Sequence, residues 1–354
     1  MKTQMRAFLD KYEHVPIKEH PNTTPVNPLV SVCVQTYQHA AYIEKCLDGI
    51  LMQRTNFSYE ILLGEDASVD GTREYCLEYA KRYPNQIRLF LHNRENNIKM
   101  NGLPTGRFTF IYNVFSGRGK YIAICDGDDY WLDPDKLQKQ VDFLENQPDY
   151  MMVSTDVILI DEQGKPMEDN RAVLMQRKFR KQDITFFDLL NVNLINTLTA
   201  CVRLEPMKKL VQRVVRDDLP FVFDYWYWLN IALMGKIRIF YEKTAAYRVH
   251  SNGISRQEGF LSVHRPMVKY DVVRRYLLEN SHEKIKGHAD ILFKMILFCL
   301  LDHTISLRKK IELIWLARRN FLGFSRMIFN KIGQRLMVSI RKNIYGSESS
   351  ISSN

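Results

Sequence analysis

Two periods of apolar residues alternate along the first 160 residues. LVSVCVQTY, from Leu29 to Tyr37, is an apolar, β-branched run of strand length and predicts a buried strand. QHAAYIEKCLDGILMQ follows it with Ile43, Leu47, Ile50 and Leu51 at helical spacing. YEILLGED (Tyr59 to Asp66) predicts a second strand, SVDGTREYCLEYAKRY a second helix, and Ile87 to Leu91 a third strand. A polar loop from Asn93 to Gly106 and a helical stretch from about Phe108 lead to another apolar run, Tyr121 to Cys125. Alternation of this kind builds parallel βαβ units, so the expected fold class is α/β, a sheet flanked by helices.

The fourth run stops at three carboxylates within four residues, Asp126, Asp128 and Asp129. Closely spaced acids cannot all stay ionised unaided, and a divalent cation would remove the conflict. Open parallel sheets also bind ligands beyond the carboxyl ends of their strands, where a nucleotide is expected. Part of DGDDYWLDPDK is explained without a ligand, since Asp133 reads as a helix N-cap and Pro134 as a first helical residue before LQKQVDFLEN. That leaves the other three acids unexplained. A calcium loop of the EF-hand kind needs Glu where this chain has Leu137, so it is excluded.

The motifs VSVCVQTYQHAAYIEKCLDGILMQ, YEILLGEDASVDGT and GKYIAICDGDDYWLDPDKL, in this order and spacing, resemble the family 2 glycosyltransferases with the GT-A fold, particularly bacterial enzymes of polysaccharide and lipopolysaccharide assembly. The resemblance covers about Leu29 to Asp161 strongly and extends more weakly to about Ser255. It implies a GT-A domain over 28–258; composition adds a polar leader over 1–27 and, outside the match, a basic, amphipathic helical region over 259–354. Within the domain, 28–160 would be the nucleotide-sugar-binding half and 161–258 the acceptor half.

The same resemblance implies roles. Val34, Thr36 and Tyr37 would frame the nucleotide base, and Asp66, with Glu65 beside it, would accept a hydrogen bond from that base. Asp126, Gly127 and Asp128 would hold the ribose and, through Mn2+ or Mg2+, the diphosphate of a nucleotide sugar, with a UDP-sugar the expected donor. His250 would approach the metal or the diphosphate; Arg248 and Arg256 are alternative holders of phosphate oxygens. Thr36 and Gln38 depart from the Pro and Asn that many members carry there. Without the family, DASVDGT is also an ordinary helix start capped by Ser68 or Asp70, and Tyr37 a packed aromatic.

In the second half, Leu194 to Val202 alternates as a strand would, with Asn196, Thr197 and Thr199 either lining the acceptor side or serving as ordinary exposed strand polarity. Asp224 enters a run containing Phe221, Phe223, Tyr225, Trp226, Tyr227 and Trp228, where an acid is costly unless paired or employed. Its place matches the family's catalytic Asp, the base for the acceptor hydroxyl in a single inverting displacement. The aromatic neighbours, Trp226 among them, are expected to raise its basicity and to offer stacking faces to sugar rings. Asp224 also reads as the N-cap of the YWYWLNIALM helix.

Charge changes the picture at the other end. Residues 260–354 hold 17 Lys and Arg against 7 Asp and Glu, which accounts for the whole net charge of +10. The apolar stripes with Lys and Arg there read as interfacial helices attached to an anionic inner leaflet, or as a helical cap or oligomer contact. No nucleic-acid motif accompanies the charge. The N-terminus lacks the apolar stretch of a secretory signal, and no run reaches the ~20 residues of a membrane span. Six scattered cysteines predict reduced, buried thiols and a cytoplasmic protein, at most peripheral on the membrane. Two other classes fit less of the chain. A non-catalytic sugar-nucleotide binder or assembly scaffold would not need Asp224, and a sugar-1-phosphate nucleotidyltransferase would carry a Gly-rich loop where VQTYQHAAYIE stands.

Overall fold

A computed structural model of the protein describes residues 2–320, apart from 101, 170–172, 175, 176, 179, 180, 220, 221 and 251–259. The chain divides into two units, 1–257 and 258–354. In the first, the apolar runs pair into a ten-stranded mixed sheet. Its strands are β1 (Lys18–Glu19), β2 (Val30–Thr36), β3 (Tyr59–Glu65), β4 (Ile87–Leu91), β5 (Tyr121–Asp126), β6 (Tyr130–Trp131), β7 (Tyr150–Ile160), β8 (Asp183–Ile184), β9 (Cys201–Arg203) and β10 (Lys236–Arg248). They lie in the order β1-β4-β3-β2-β5-β9-β7-β10-β8, and β6 pairs with β10. From β4 to β5 all pairings are parallel, β9 runs antiparallel to both its neighbours, and β7 and β10 are parallel again. After β2 the chain builds outward through β3 and β4 and then returns to the other side of β2 as β5. The crevice between β2 and β5 is therefore the switch point of the sheet.

Helices cover the sheet as the α/β alternation predicts. They are α1 (Lys2–Tyr12), α2 (Ile43–Leu51), α3 (Thr72–Arg82), α4 (Arg107–Ser116), α5 (Lys136–Asn146), α6 (Phe186–Asn191), α7 (Leu204–Arg216) and α8 (Asp224–Met234). α2 buries Ile43, Cys46, Leu47 and Ile50, and its Gly49 meets the β6 backbone so closely that a Cβ would stand 2.8 Å from the Trp131 carbonyl oxygen. The polar leader is part of this unit. Phe8 of α1 is fully buried, 4.9 Å from the Phe108 ring and 5.9 Å from Phe115, while β1 pairs with β4.

Helix starts differ from the sequence reading by a residue or two. Asp133 does not adjoin α5, whose cap is Asp135; its Oδ1 instead accepts the Asp135 N–H at 2.9 Å, and Pro134 lies in the turn between. The cap of α3 is Gly71, at φ 104°, with Asp70 Oδ1 accepting the Thr72 N–H at 3.1 Å. The strand expected over Leu194 to Val202 is mostly a turn. Thr199 Oγ1 donates to the Asn196 carbonyl, Thr197–Thr199 is a 3-10 turn, and only Cys201–Arg203 pairs as β9. Side-chain hydroxyls bonding to nearby backbone compete with the ladder that a Thr-rich strand would make.

The second unit is helical, with α9 (Phe260–Glu279), α10 (His282–Lys286), α11 (Ala289–Leu301) and α12 (Leu307–Asn320). Val272, Val273 and Tyr276 of α9 are buried, as are Leu292 and Ile296 of α11 and Leu313 and Leu316 of α12. Among the described residues no helix is long and apolar enough to cross a membrane. All six cysteines are buried and unpaired.

Candidate functional site

At the switch point Gln35 of β2 lies in register with Asp126 of β5, and its Nε2 donates to Asp126 Oδ1 at 2.8 Å. Burial, with the charges of Asp128 and Asp224, pushes the Asp126 carboxyl up to about 7. Asp126 and Asp224, on different elements, therefore feel one another across the site. Gly127 passes against Thr36 and His39: a Cβ there would lie 2.7 Å from Thr36 Oγ1 and 2.9 Å from His39 Nδ1. Thr36 is buried, and its Oγ1 is 3.2 Å from that same ring nitrogen.

The next two acids diverge in environment. Burial works to raise Asp128, but the His250 Nε2 at 2.9 Å from its Oδ2, and the His39 Nε2 at 3.8 Å, outweigh burial and hold its carboxyl below the ordinary value. His39 itself is lowered, chiefly by burial. Asp129 faces inward and accepts the Arg248 backbone N–H at 2.7 Å; burial and its two acidic neighbours push it well above the carboxylate range. Asp126, Asp128 and His250 make a set of hard oxygens plus one imidazole, and burial, with the charge of Asp128 added to it, drives Asp126 toward its neutral form. Those donors suit a magnesium or manganese ion that takes its remaining ligands from a bound substrate. They do not make a closed cage, since among the described residues no three His, Cys, Asp or Glu side chains gather as a ready cation site.

A slot opens beside the acids at the ends of β2 and β3. The Arg94 guanidinium lies 3.7 Å from the centre of the exposed Tyr37 ring and donates to Asp66 Oδ2 at 2.6 Å. Asn97 Nδ2 donates to that same oxygen at 2.7 Å. Burial raises the Asp66 carboxyl to about 6, against the pull of Arg94. Glu65 stands behind the slot: it is fully buried, one oxygen accepts the Ser68 N–H at 2.6 Å and the other pairs with Arg73. Val34 lies beneath the slot in the apolar core. Arg94 and Asn97 escape sequence reading because their loop has no period. A paired cation for the buried Asp66 is the one demand that could have been anticipated.

Asp224 is the first residue of α8, one place later than a cap, with Phe223 in the cap position. Its Oδ1 accepts the Tyr225 N–H at 2.6 Å and its Oδ2 accepts the Thr197 hydroxyl at 2.7 Å. Thr197 thus orients the acid, and Asn196 beside it lines a recess with Thr155, Asp156, Arg177, Lys181 and Tyr241. Thr199 is buried and takes no part in it.

Of the aromatic wall expected around Asp224, the members from Tyr225 to Trp228 are buried and present no face to solvent. Trp226 is fully buried, edge-on to Tyr227 and 5.2 Å from the Arg213 guanidinium, and Tyr225, Tyr227 and Trp228 are buried as well. Consecutive helical residues point about 100° apart, so the run is enclosed by its neighbours on every side instead of presenting one stacking face. Trp226 therefore has no surface to give an acceptor. Arg248 is likewise committed: its Nε donates to the Asp128 carbonyl at 2.8 Å and its Nη1 to the carbonyls of Asp161 and Glu162, both at 3.0 Å. It braces the acidic turn. Arg256 and Phe221 lie outside the described residues.

Residues 31–204, just under half of the chain, match the family model described as glycosyl transferase family 2, so the chain carries a domain of that family. The sheet with its switch-point acids is the GT-A arrangement that such a domain implies. The uncharacterized protein Rv1520 of Mycobacterium tuberculosis is 33% identical over 228 residues, 64% of this chain and 60% of that protein, so the chain spans less than two thirds of this relative. The putative teichuronic acid biosynthesis glycosyltransferase TuaG of Bacillus subtilis is 27% identical over 231 residues, 64% of this chain and 82% of TuaG. Among solved structures, S. aureus TarS 1-349 in complex with UDP-GlcNAc aligns at 14% identity and a TM-score of 0.49, over 82% of this chain and 88% of that one.

Proposed function

We propose that the chain is an inverting glycosyltransferase that moves a sugar from a nucleoside-diphosphate sugar, a UDP-sugar by preference, to a hydroxyl of a saccharide or lipid-linked saccharide in cell-surface polysaccharide synthesis. The observation that carries this reading is the meeting of Asp126, Asp128 and Asp224 at one switch-point crevice, next to the Tyr37–Arg94–Asp66 slot. The slot suits a nucleobase that stacks on the outer face of the Tyr37–Arg94 pair, with Asp66 supplying an acceptor oxygen. Asp128, with Asp126 and His250, would hold Mn2+ or Mg2+, which when bound supplies Lewis-acid stabilisation of charge on the departing diphosphate.

Asp224 takes the proton of the acceptor hydroxyl as the hydroxyl oxygen attacks the anomeric carbon, and the bond to the diphosphate breaks on the opposite side. Thr197 fixes one carboxylate oxygen and the Tyr225 N–H the other, so the base is aimed before substrate arrives. Asn196, at the edge of the adjoining recess, is positioned to meet the acceptor.

The test is transfer or donor hydrolysis with a panel of nucleotide sugars, with and without Mn2+. Asp224→Asn should keep nucleotide binding, measured by calorimetry, and lose about 10²- to 10⁴-fold in turnover. Full turnover in that variant would remove Asp224 from the chemistry. Donor binding without turnover under any condition would point to a sugar-nucleotide binder instead.

A further inference from the structure

The last described helix of the second unit is apolar on two sides. α12 buries Leu313, Leu316 and Ala317, yet on its outer side Leu307 is 74% exposed, Ile311 58%, Ile314 42% and Trp315 58%. Positions 307, 311, 314 and 315 fall on one stripe of a helix, and Arg318 continues it. At 100° per residue, Arg308 and Arg319 flank the stripe on one edge and Lys310 on the other. The single carboxylate of the helix, Glu312, is drawn away to the Tyr270 hydroxyl and the Arg274 guanidinium of α9. The outward face thus combines bulky apolar side chains, an indole and cations on both edges, with no anion. The sequence beyond it, 321–345, adds Arg326, Lys331, Arg335, Arg341 and Lys342 and no Asp or Glu.

We propose that this face of α12 seats the protein on an anionic lipid bilayer. The layering matches: Leu307, Ile311 and Ile314 enter the acyl boundary, Trp315 lies at the headgroup level where indoles collect, and the flanking Arg and Lys meet the phosphates. A single apolar stripe binds a bilayer weakly, and the surrounding cations supply the second attraction that makes attachment stable. The inference rests on the second unit alone and stands whether or not the first unit transfers a sugar.

Sedimentation of the full chain with vesicles of phosphatidylcholine, with or without phosphatidylglycerol, tests it. The protein is expected to pellet with the anionic vesicles and to stay in solution with the neutral ones, with a blue shift of tryptophan emission on binding. Ile311→Glu/Trp315→Glu changes only exposed positions, so circular dichroism and melting should match the parent while anionic binding falls on the order of tenfold. Failure of the parent protein to pellet with anionic vesicles would overturn the proposal, as would equal binding to neutral ones or undiminished binding by the double variant. A concentration-dependent dimer in light scattering that the double variant abolishes would also overturn it, by making a second copy of the chain the occupant.

Discussion

Asp66 shows how one buried carboxyl ties binding to stability. Its carboxyl is raised to about 6, chiefly by burial, from 3.8. Between those values the folded protein holds a proton that the unfolded chain has released, so the stability this group lends falls as pH climbs from about 4 to about 6 and is flat above. Asp66→Asn should remove that slope from a plot of denaturation midpoint against pH. In the parent, nucleotide affinity should drop as pH goes below about 6, because the slot then loses its charged acceptor; calorimetry at pH 5 and pH 8 reads this directly. At Gly127 the constraint is steric. Gly127→Ala pushes a methyl against Thr36 and His39 and is expected to cost about 1–3 kcal/mol in urea unfolding while displacing Asp126 and Asp128 enough to depress turnover.

Among the elements, α1 carries the most local consequence for stability. Phe8 is enclosed by Tyr12, Phe108 and Phe115, so Phe8→Ala should destabilise the first unit by about 3–5 kcal/mol, seen as a lower urea midpoint with the nucleotide site unchanged in any protein that stays folded. This element also marks where sequence reading stops. The strands of the first half were legible because parallel strands buried on both faces are unbroken apolar runs, and Ile87–Leu91 is found with the bounds expected. α1 was not, although Met5, Phe8, Leu9 and Tyr12 stand at helical spacing, because the polar residues around so short a stripe read as a leader. The acids at the end of β5 announced themselves as an unexplained cluster, whereas Gln35, His39, Arg94 and Asn97 became site residues only through contacts made between separate loops and strands. The Tyr225–Trp228 run misled for a physical reason: aromatic content predicts burial as readily as sugar stacking, and only the packing around α8 decides between them.

For the whole molecule, ligand linkage gives the broadest test. On the proposed function, nucleoside diphosphate and Mn2+ together should raise the melting midpoint more than the sum of their separate effects, because each would complete the other's ligands at Asp128; at a hundredfold excess over Kd the gain is about 2.7 kcal/mol. Strictly additive shifts would separate the two sites. The charge of the chain is divided just as unevenly as its architecture, with the first unit carrying the acids at the crevice and the second carrying nearly all of the cationic excess. The contacts of Arg248 and His250 set the order in which the crevice can be completed. Asp129 and the carbonyl of Asp128 are held by Arg248, and the side chain of Asp128 by His250. During synthesis, then, the ribosome releases the sheet's opening strands and the acidic turn well before their braces exist. A nascent chain halted ahead of Arg248 would own every acid of the turn yet lack the clamp that shapes it, so competence should arrive abruptly as β10 docks beside β7.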